Sequence, residues 1–542
     1  MTSACPSPDL ILYNGIFASD HLVPPHLQAV AIGGGEILAV GRDQEICPLA
    51  GPETDTIDLE NRLVVPGFFD SHIHFYEWAI QRRGLKLEGL TCIEDLAFRV
   101  QEAAHKLAPG AWIMGQGWNE TDWIESRMPS REILDRAAPD HPVLLWRCDL
   151  HLAAVNSAAL KMAGIAADTP DPPDGAIERD AKGRPTGILR ELAVNLIRDA
   201  ISPPDSDQLT QAFQESAQAL HRRGVTAIHD IRLMGDKDGV RALQTFQKLD
   251  QTDRLDLRCW VSLPGHQLDS IIGLGIRSGF GNDRLRIGHV KFFSDGGMGA
   301  RTAWMIDPYL DAEYGMPLIE MEFLEHQIGL ADDAGLSVMV HAVGDRANRE
   351  LIKIFEAIAT KRSITGTPPP AFRHRIEHVQ MIRPEDALRI RNLDLALNVT
   401  PCNMVLDMNL IDCAVGDKGR WTYPFRMLMD TGAPVMFSSD CPVCDPDPLS
   451  GIHAAVTRKR ADGTPEGGWH PGSRVTVAES LNAYTSIPAM AHCAEHLGSI
   501  APGKSADLAV LSHNILEIFP SQLMEAGVEM TLFNGKIVHR KF

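Results

Sequence analysis

Short apolar runs recur through the middle of the chain and are separated by stretches with helical periodicity, the pattern of parallel βαβ units. Two helical stretches, 322–334 and 347–360, fit between consecutive runs. We therefore predict an α/β fold whose middle is a (β/α)8 TIM-like barrel. Its eight predicted strands are 64–69, 225–229, 255–263, 286–293, 337–341, 373–378, 395–400 and 434–439.

The first gap between these runs is much longer than the others. Residues 76–200 separate the first two predicted strands, and their periodicity is mixed. We predict a large α+β insertion here, placed over the barrel mouth. The sequence of both chain ends instead predicts short strands next to turns that contain glycine. We expect residues 1–65 and 497–542 to form one small β-sandwich and residues 66–496 to form the barrel.

Composition narrows the function classes. The 542 residues are 44% hydrophobic and 23% charged, which is typical of a soluble globular protein. The net charge of −20 argues against nucleic-acid partners and against an anionic membrane surface. No run is long enough for a membrane helix, and the first residues lack the features of a signal peptide. Ten cysteines spread over this length form no disulfide framework, so we expect a cytoplasmic location.

Metal-ligating side chains follow several predicted strands. His72 and His74 are two residues apart, and strand side chains alternate faces, so both imidazoles can reach one metal ion. In a barrel of this type the chemistry lies where the strands end. Imidazole and carboxylate ligands suit Zn²⁺ and similar ions. The residues at the strand ends are His72, His74, Lys291, His341, His378 and Asp440.

This set of residues resembles the amidohydrolase superfamily, and the local motifs are similar to those of amidohydrolase family 3, which includes N-substituted formamide deformylases. The resemblance spans nearly the whole chain. It indicates fold and site better than substrate. The motifs are Pro66-Gly-Phe-Phe-Asp-Ser-His-Ile-His74, His289-Val-Lys-Phe-Phe-Ser-Asp-Gly-Gly297, His341-Ala-Val-Gly-Asp345, Arg375-Ile-Glu-His378 and Ser438-Ser-Asp-Cys-Pro442.

The resemblance implies a role for each ligand. His72, His74 and Asp440 would hold the more buried ion and His341 and His378 the second, with one or two divalent ions in all. Lys291 would be carbamylated by CO₂ and would bridge the two. That step needs a neutral amine, and the apolar run around Lys291 supplies the burial that lowers a lysine pKa. The alternative is a strand lysine that extends to solvent.

The implied chemistry is hydrolysis of a small-molecule, non-peptide amide. A Zn²⁺-type ion brings the pKa of bound water near neutrality and so provides a hydroxide nucleophile. Asp440 would take the water proton and pass it to the leaving nitrogen. In the insertion, Trp118 or a neighbouring tryptophan could line an apolar substrate pocket or belong to the core, and His151 could bind a carbonyl oxygen or be structural.

Other functions remain open at this point. A deaminase acting on a cyclic amidine would carry a glutamate in a His-Ala-x-Glu motif, but that position is Gly344 here. An ester or lactone could be attacked by the same hydroxide. A catalytically silent scaffold would be expected to lack ligands, and none is missing. The sequence does not choose between Zn²⁺, Mn²⁺ and Fe²⁺, and a homodimer is possible because dimers are common among relatives.

Overall fold

A computed structural model describes residues 7–18, 27–82, 84–173, 175–233 and 239–542 of the chain. Residues 1–6, where the sequence predicts no signal peptide, lie outside this part. The same holds for residues 19–26 of the predicted sandwich and for residues 83 and 174 of the predicted insertion.

Eight parallel strands form the central sheet, and they follow one another in chain order around it. Each lies close to one of the eight runs that the sequence predicts as strands. Their side chains are almost all buried, as expected for parallel strands covered on both faces. The eight-stranded barrel architecture is therefore confirmed. Its strands are Phe68–Ile73, Val225–Asp230, Arg258–Pro264, Leu285–Phe293, Val338–Ala342, His374–His378, Leu395–Val399 and Val435–Phe437.

The first predicted strand, 64–69, is wrong in its bounds. The structure divides this region into Leu63–Pro66, which pairs with Leu508–Leu511, and Phe68–Ile73, which pairs with the second barrel strand. Gly67 separates the two strands, and a Cβ there would lie 2.2 Å from Thr226 Oγ1. A continuous apolar run conceals this change of sheet, because both strands are buried.

The last and first barrel strands meet through hydrogen bonds that continue past their ends. The Asp440 amide donates to the His72 carbonyl over 2.9 Å, and the His74 amide donates to the Cys441 carbonyl over 2.7 Å. Deeper in the barrel, Ser71 Oγ donates to the Phe437 carbonyl over 3.0 Å. We call the contact between the first and last strands the barrel seam. The segments on both sides of this seam therefore contain predicted ligands.

Apolar side chains of the helices in the barrel region join the large hydrophobic cluster of this sheet, except that those of the last helix join a small cluster with Ala396 and Met436. Among the described residues, no helix combines the length and the apolar character needed to cross a bilayer. These helices are Phe75–Gln81, Ser206–His221, Gly239–Gln251, Leu268–Gly273, Met321–Asp333, Asp345–Thr365, Pro384–Ile390, Pro401–Val415, Phe425–Met429, Pro448–Thr457, Val477–Ala483 and Ser486–Ala491.

Two smaller sheets contain strands from the chain ends, and a hydrophobic cluster is formed by residues of both sheets. One sheet has the order Glu36–Gly41, Ala29–Gly33, Leu10–Tyr13 and Asp55–Asp58. The other has the order Ile16–Phe17, Leu63–Pro66, Leu508–Leu511, Val528–Phe533 and Lys536–Arg540. The division of the chain into a sandwich and a barrel domain stays a prediction.

Residues between the first two barrel strands form a six-stranded sheet of their own, in which parallel and antiparallel pairs both occur. Helices Ile93–Ala104, Arg131–Ala137, Ser157–Met162 and Asn195–Arg198 belong to the same region. The strand order is Gly175–Arg179, Pro185–Glu191, Leu152–Val155, Val143–Arg147, Ile113–Trp118 and Leu85–Lys86.

A buried ion pair joins the third barrel strand to the C-terminal segment. Arg258 donates from Nε and Nη2 to the two carboxylate oxygens of Asp507, over 2.6 and 3.1 Å. The Asp507 carbonyl also accepts from the Gly67 amide over 2.8 Å. This aspartate therefore connects the barrel to the strands of the chain ends.

We expect Arg258→Ala to lower the free energy of unfolding by about 3–5 kcal/mol, because it leaves the Asp507 carboxylate buried without its partner. Chemical denaturation followed by circular dichroism measures this change. Lys353→Ala, which breaks an exposed pair with Glu350, should stay near the wild type. Equal stability of both variants would contradict the structural role of the buried pair.

Candidate metal centre

The six predicted ligands converge at one end of the barrel. All are buried, and five of them line a cavity of about 90 Å³: His74, Lys291, His341, His378 and Asp440. The sixth, His72, contacts Asp440 directly. His72, Lys291, His341 and His378 lie on four different barrel strands, whereas His74 and Asp440 follow the ends of the first and eighth.

Two imidazole nitrogens face one carboxylate oxygen. His72 Nε2 and His74 Nε2 lie 3.4 and 3.3 Å from Asp440 Oδ1, and His378 Nδ1 lies 3.9 Å from Asp440 Oδ2. The other ring nitrogens settle the tautomers, because His74 Nδ1 donates to the Ile231 carbonyl over 3.0 Å and His72 Nδ1 donates to the Glu377 carboxylate. In the neutral rings that bind metals, both Nε2 lone pairs therefore point at a carboxylate.

This arrangement of acceptors fits a bound cation. His72 Nε2 is a buried nitrogen without a hydrogen-bond partner among the described residues. Burial lowers the pKa values of His72, His341 and His378 well below the usual imidazole range, which keeps these rings neutral. Neutral imidazoles and a carboxylate are the ligands that Zn²⁺ and similar ions prefer.

Glu377 supports His72 from inside the barrel. Its carboxylate accepts from Arg375 Nε over 2.8 Å, from Arg375 Nη2 over 3.0 Å and from Asn398 Nδ2 over 3.1 Å, besides His72. Such partners orient metal-ligating histidines and raise their basicity. The sequence analysis assigned no role to Arg375 or Glu377. The available signal was two charged residues inside a predicted buried strand.

A second pair of histidines lies beside this cluster. The rings of His341 and His378 have centroids 4.6 Å apart, and His341 Nε2 lies within hydrogen-bonding distance, 3.3 Å, of the Gly296 carbonyl. Because Nε2 of the neutral ring donates to this carbonyl, Nδ1 of His341 keeps its lone pair. His378 and Asp440 both have left-handed backbone, with φ of 70° and 56°. Such strain in non-glycine residues often marks functional sites.

Lys291 lies in the same cavity and is only 3% exposed, so its side chain does not extend to solvent. Burial lowers the pKa of Lys291 to about 8, although the carboxylates of Glu377 and Asp440 act in the opposite direction. Its Nζ lies 4.7 Å from the centroid of the Phe293 ring. At neutral pH, roughly a tenth of amines with this pKa are uncharged and nucleophilic.

His151 also lines the cavity, and its ring centroid lies 5.4 Å from that of His341. Its Nδ1 donates to Glu191 Oε2 over 2.8 Å, and Thr302 Oγ1 donates to the other Glu191 oxygen over 2.6 Å. Burial would lower the pKa of His151, but the Glu191 carboxylate outweighs burial and raises it to about 9. The ring is therefore a cation at neutral pH.

Trp118 is not among the residues that line this cavity, so the pocket role considered for it needs correction. The ring is fully buried in a hydrophobic cluster beside Trp123, and its Nε1 donates to the Leu145 carbonyl over 3.1 Å. Its polar atom is thus already satisfied. Trp146, a neighbouring tryptophan in the same segment, lines the cavity instead.

A separate cluster of buried histidines lies elsewhere in the structure. His229, His289 and His492 come close enough to share an ion, but Arg375 Nη1 lies 3.0 Å from His229 Nδ1 and 3.1 Å from His492 Nε2. The guanidinium charge already occupies this position and would repel a metal ion. This geometry indicates a structural role for His229 and His492.

Comparisons with known proteins agree with the geometry. A family model described as "Amidohydrolase family" matches residues 55–539. The chain is 32% identical to Protein LONG AFTER FAR-RED 3 of Arabidopsis thaliana, over 97% of this chain and 91% of that protein. It is 26% identical to the N-substituted formamide deformylase of Arthrobacter pascens, over 95% of each chain.

A solved structure of similar fold is an uncharacterized metal-dependent hydrolase from Pyrococcus horikoshii OT3. It is 26% identical, has a TM-score of 0.74, and the match covers 94% of this chain and 99% of that one. The family model, the relatives and the barrel with its ligand cluster all agree. The chain therefore belongs to the amidohydrolase family and is a metal-dependent hydrolase that acts on carbon–nitrogen bonds.

Proposed function

We propose that this hydrolase cleaves the C–N bond of a small, formamide-like amide that is not a peptide. The observation that carries the proposal is the pair of imidazole lone pairs facing the buried Asp440 carboxylate, at 3.4 and 3.3 Å. The likeness to an N-substituted formamide deformylase supports the choice of substrate class.

His72, His74 and Asp440 would hold one divalent ion, and His341 and His378 would hold a second one where two are bound. Zn²⁺ suits these nitrogen and oxygen donors. A bound ion of this kind acidifies water to hydroxide near neutral pH and polarises a carbonyl group. Lys291 would join the two sides as a carbamate, formed when its neutral amine adds to CO₂ and releases a proton.

Asp440 is suited to move the proton. Burial would raise its pKa, but the positive charge of Lys291 in the same cavity opposes burial, and the pKa stays below the usual carboxyl value. The carboxylate is thus ionised at neutral pH and can accept a proton from the attacking water. An amine is a poor leaving group, so Asp440 would then deliver that proton to the leaving nitrogen.

His151 would bind the carbonyl oxygen of the substrate. Its Nδ1 is held by Glu191, so the Nε2–H of the cationic ring is available to the cavity. A charged donor placed beside the developing oxyanion favours the transition state over the ground state.

The sizes of two adjoining cavities favour a substrate with a small acyl group and a larger substituent on the nitrogen. The cavity at the ligand cluster measures about 90 Å³, well below the roughly 300–1,000 Å³ of ordinary ligand pockets. A second cavity of about 580 Å³ adjoins it, and Cys148, Leu406 and Val443 line both. We infer that the acyl group lies next to the ligands and that the substituent extends into the larger cavity.

The deaminase alternative receives no support from Gly344. A deaminase of the His-Ala-x-Glu type would need a glutamate there, but a Cβ at this position would lie 2.0 Å from the Trp304 carbonyl oxygen. Backbone cannot move aside as easily as a flexible side chain. Lys291 would also have no role in such a deaminase.

Purified protein should contain one or two equivalents of a divalent metal and release amine from N-formyl compounds. The test combines elemental analysis with a panel of N-formyl, N-acetyl and N-carbamoyl derivatives of one alkyl and one aryl amine, matching esters, and a cyclic amidine. N-formyl compounds should give the highest kcat/KM. Asp440→Asn should lower kcat by about 10²–10⁴-fold, because it removes the proton carrier.

Asp430→Asn makes the same chemical change at an exposed position and should leave both activity and metal content unchanged. Ammonia release from the amidine alone would replace the proposal with a deaminase. Preferred cleavage of the esters would replace it with an esterase. Full activity in Asp440→Asn would remove Asp440 from the role of proton carrier.

Lys291 should carry a carbamate. Protein incubated with ¹³C-bicarbonate should show a carbamate signal by NMR in the wild type and none in Lys291→Arg, whose guanidinium never becomes a neutral nucleophile. Lys291→Arg should also lose metal, whereas Lys291→Glu should retain more of it because the new carboxylate can act as a ligand. Equal metal content in the arginine variant and the wild type would contradict the bridging role.

Activity should fall on the alkaline side as His151 loses its proton. The pKa of about 9 lies above the usual imidazole value of about 6.5, so the cation persists below pH 9 and is lost as the pH rises through it. Glu191→Gln removes the carboxylate that raises this pKa, so the alkaline limb of kcat/KM should move to lower pH. His151→Gln should lower kcat/KM about 10²-fold and abolish this limb. An unchanged limb in both variants would show that another group titrates.

A further inference from the structure

The two oxygens of Asp440 face different partners. Oδ1 faces the imidazoles of His72 and His74, whereas Asn403 Nδ2 donates to Oδ2 over 3.1 Å. Among the described residues, the Asn403 amide is the side-chain group that donates a hydrogen bond to Oδ2. If Oδ1 binds the metal, Oδ2 is the oxygen left for proton transfer, and Asn403 holds it.

The orientation of the Asn403 amide has its own support. Cys444 Sγ donates to Asn403 Oδ1 over 3.1 Å, which fixes the amide with its nitrogen towards Asp440. The reversed amide would place a carbonyl oxygen against the carboxylate and would leave the thiol without this acceptor. Asn403 is only 8% exposed, so water cannot readily compensate.

The thiol is suited to donate. Burial, reinforced by the neighbouring Cys402, raises the pKa of Cys444 well above the usual thiol range, so the sulfur keeps its proton at neutral pH. Asn403 lies in the first turn of the helix Pro401–Val415, after the seventh barrel strand. Cys444 lies in the loop after the eighth. The hydrogen bonds from Cys444 to Asn403 and from Asn403 to Asp440 thus connect the segments after the seventh and eighth strands with the site.

We propose that Asn403 is a positioning residue that holds Oδ2 of Asp440 for proton transfer, and that the Cys444 thiol sets the orientation of the Asn403 amide. This proposal rests on the proposed hydrolytic function. A carboxylate that binds metal through one oxygen can still rotate, and a fixed donor on the other oxygen restricts that rotation.

The central variant is Asn403→Leu, which keeps the approximate volume and removes the donor. We expect kcat to fall about 10- to 100-fold because the carboxylate loses its fixed orientation, while KM and metal content stay within about twofold. The matched control is Asn409→Leu on the same helix, whose amide donates to the exposed Asp122. The control should keep wild-type kcat. Wild-type kcat in Asn403→Leu would overturn the proposal.

Variants of Cys444 separate orientation from packing. Cys444→Ala removes the donor to Asn403 and should lower kcat about 3- to 10-fold, because the amide can then rotate. Cys444→Ser restores a donor of smaller size and should recover most of that loss. A serine variant as slow as the alanine variant would show that the thiol acts by packing and would overturn its part of the proposal.

A readout that needs no substrate completes the test. Protein loaded with Co²⁺ has an absorption spectrum that reports the coordination of the ion. Asn403→Leu should change the wild-type band intensities, whereas Asn409→Leu should not. If wild-type protein takes up no Co²⁺, the proposed metal function fails. If it does, but the spectrum and kcat of Asn403→Leu match the wild type, only the positioning role fails.

Discussion

The site depends on the close approach of two imidazole lone pairs to one carboxylate oxygen inside the barrel. His72 Nε2 and His74 Nε2 lie 3.4 and 3.3 Å from Asp440 Oδ1, with both hydrogens of these rings committed elsewhere. Lone pairs this close to a negative oxygen repel each other in a medium of low dielectric constant. A cation between them converts the repulsion into attraction. The candidate ligand cluster would therefore lower the stability of the metal-free protein and raise that of the metal-loaded protein.

The position of this cluster on the barrel holds its side chains rigidly. His72 and His74 come from the end of the first strand and Asp440 from the loop after the last, and these segments are neighbours only because the barrel closes. The hydrogen bonds of the seam, from the Asp440 amide to the His72 carbonyl and from the His74 amide to the Cys441 carbonyl, belong to the same residues. Distortion of the seam would consequently alter the ligand distances, and a bound ion would in turn reinforce barrel closure.

Much of this arrangement follows from sequence, and the rest fails for identifiable reasons. The barrel was predictable because buried parallel strands are near-continuous apolar runs, and the convergence of the candidate ligands was predictable because they follow those runs. The break at Gly67 was not, since an apolar run does not reveal which sheet a strand joins. Trp118 was ambiguous because its residue type suits a core and a pocket equally. The roles proposed for Asn403 and Cys444 could not be predicted, because they depend on a contact between residues about 40 positions apart in the chain.

The interior of the barrel explains how the proposed cation-binding site tolerates a buried arginine. Arg375 donates two hydrogen bonds to Glu377, and Glu377 in turn accepts from His72. The guanidinium thus neutralises the carboxylate that orients the ligand, and its remaining nitrogen lies against His229 and His492. Without Arg375, the Glu377 charge would be buried and uncompensated. The charge of the inner network is therefore balanced by the protein itself. This network does not compensate the negative charge of Asp440, which the proposed metal ion would balance.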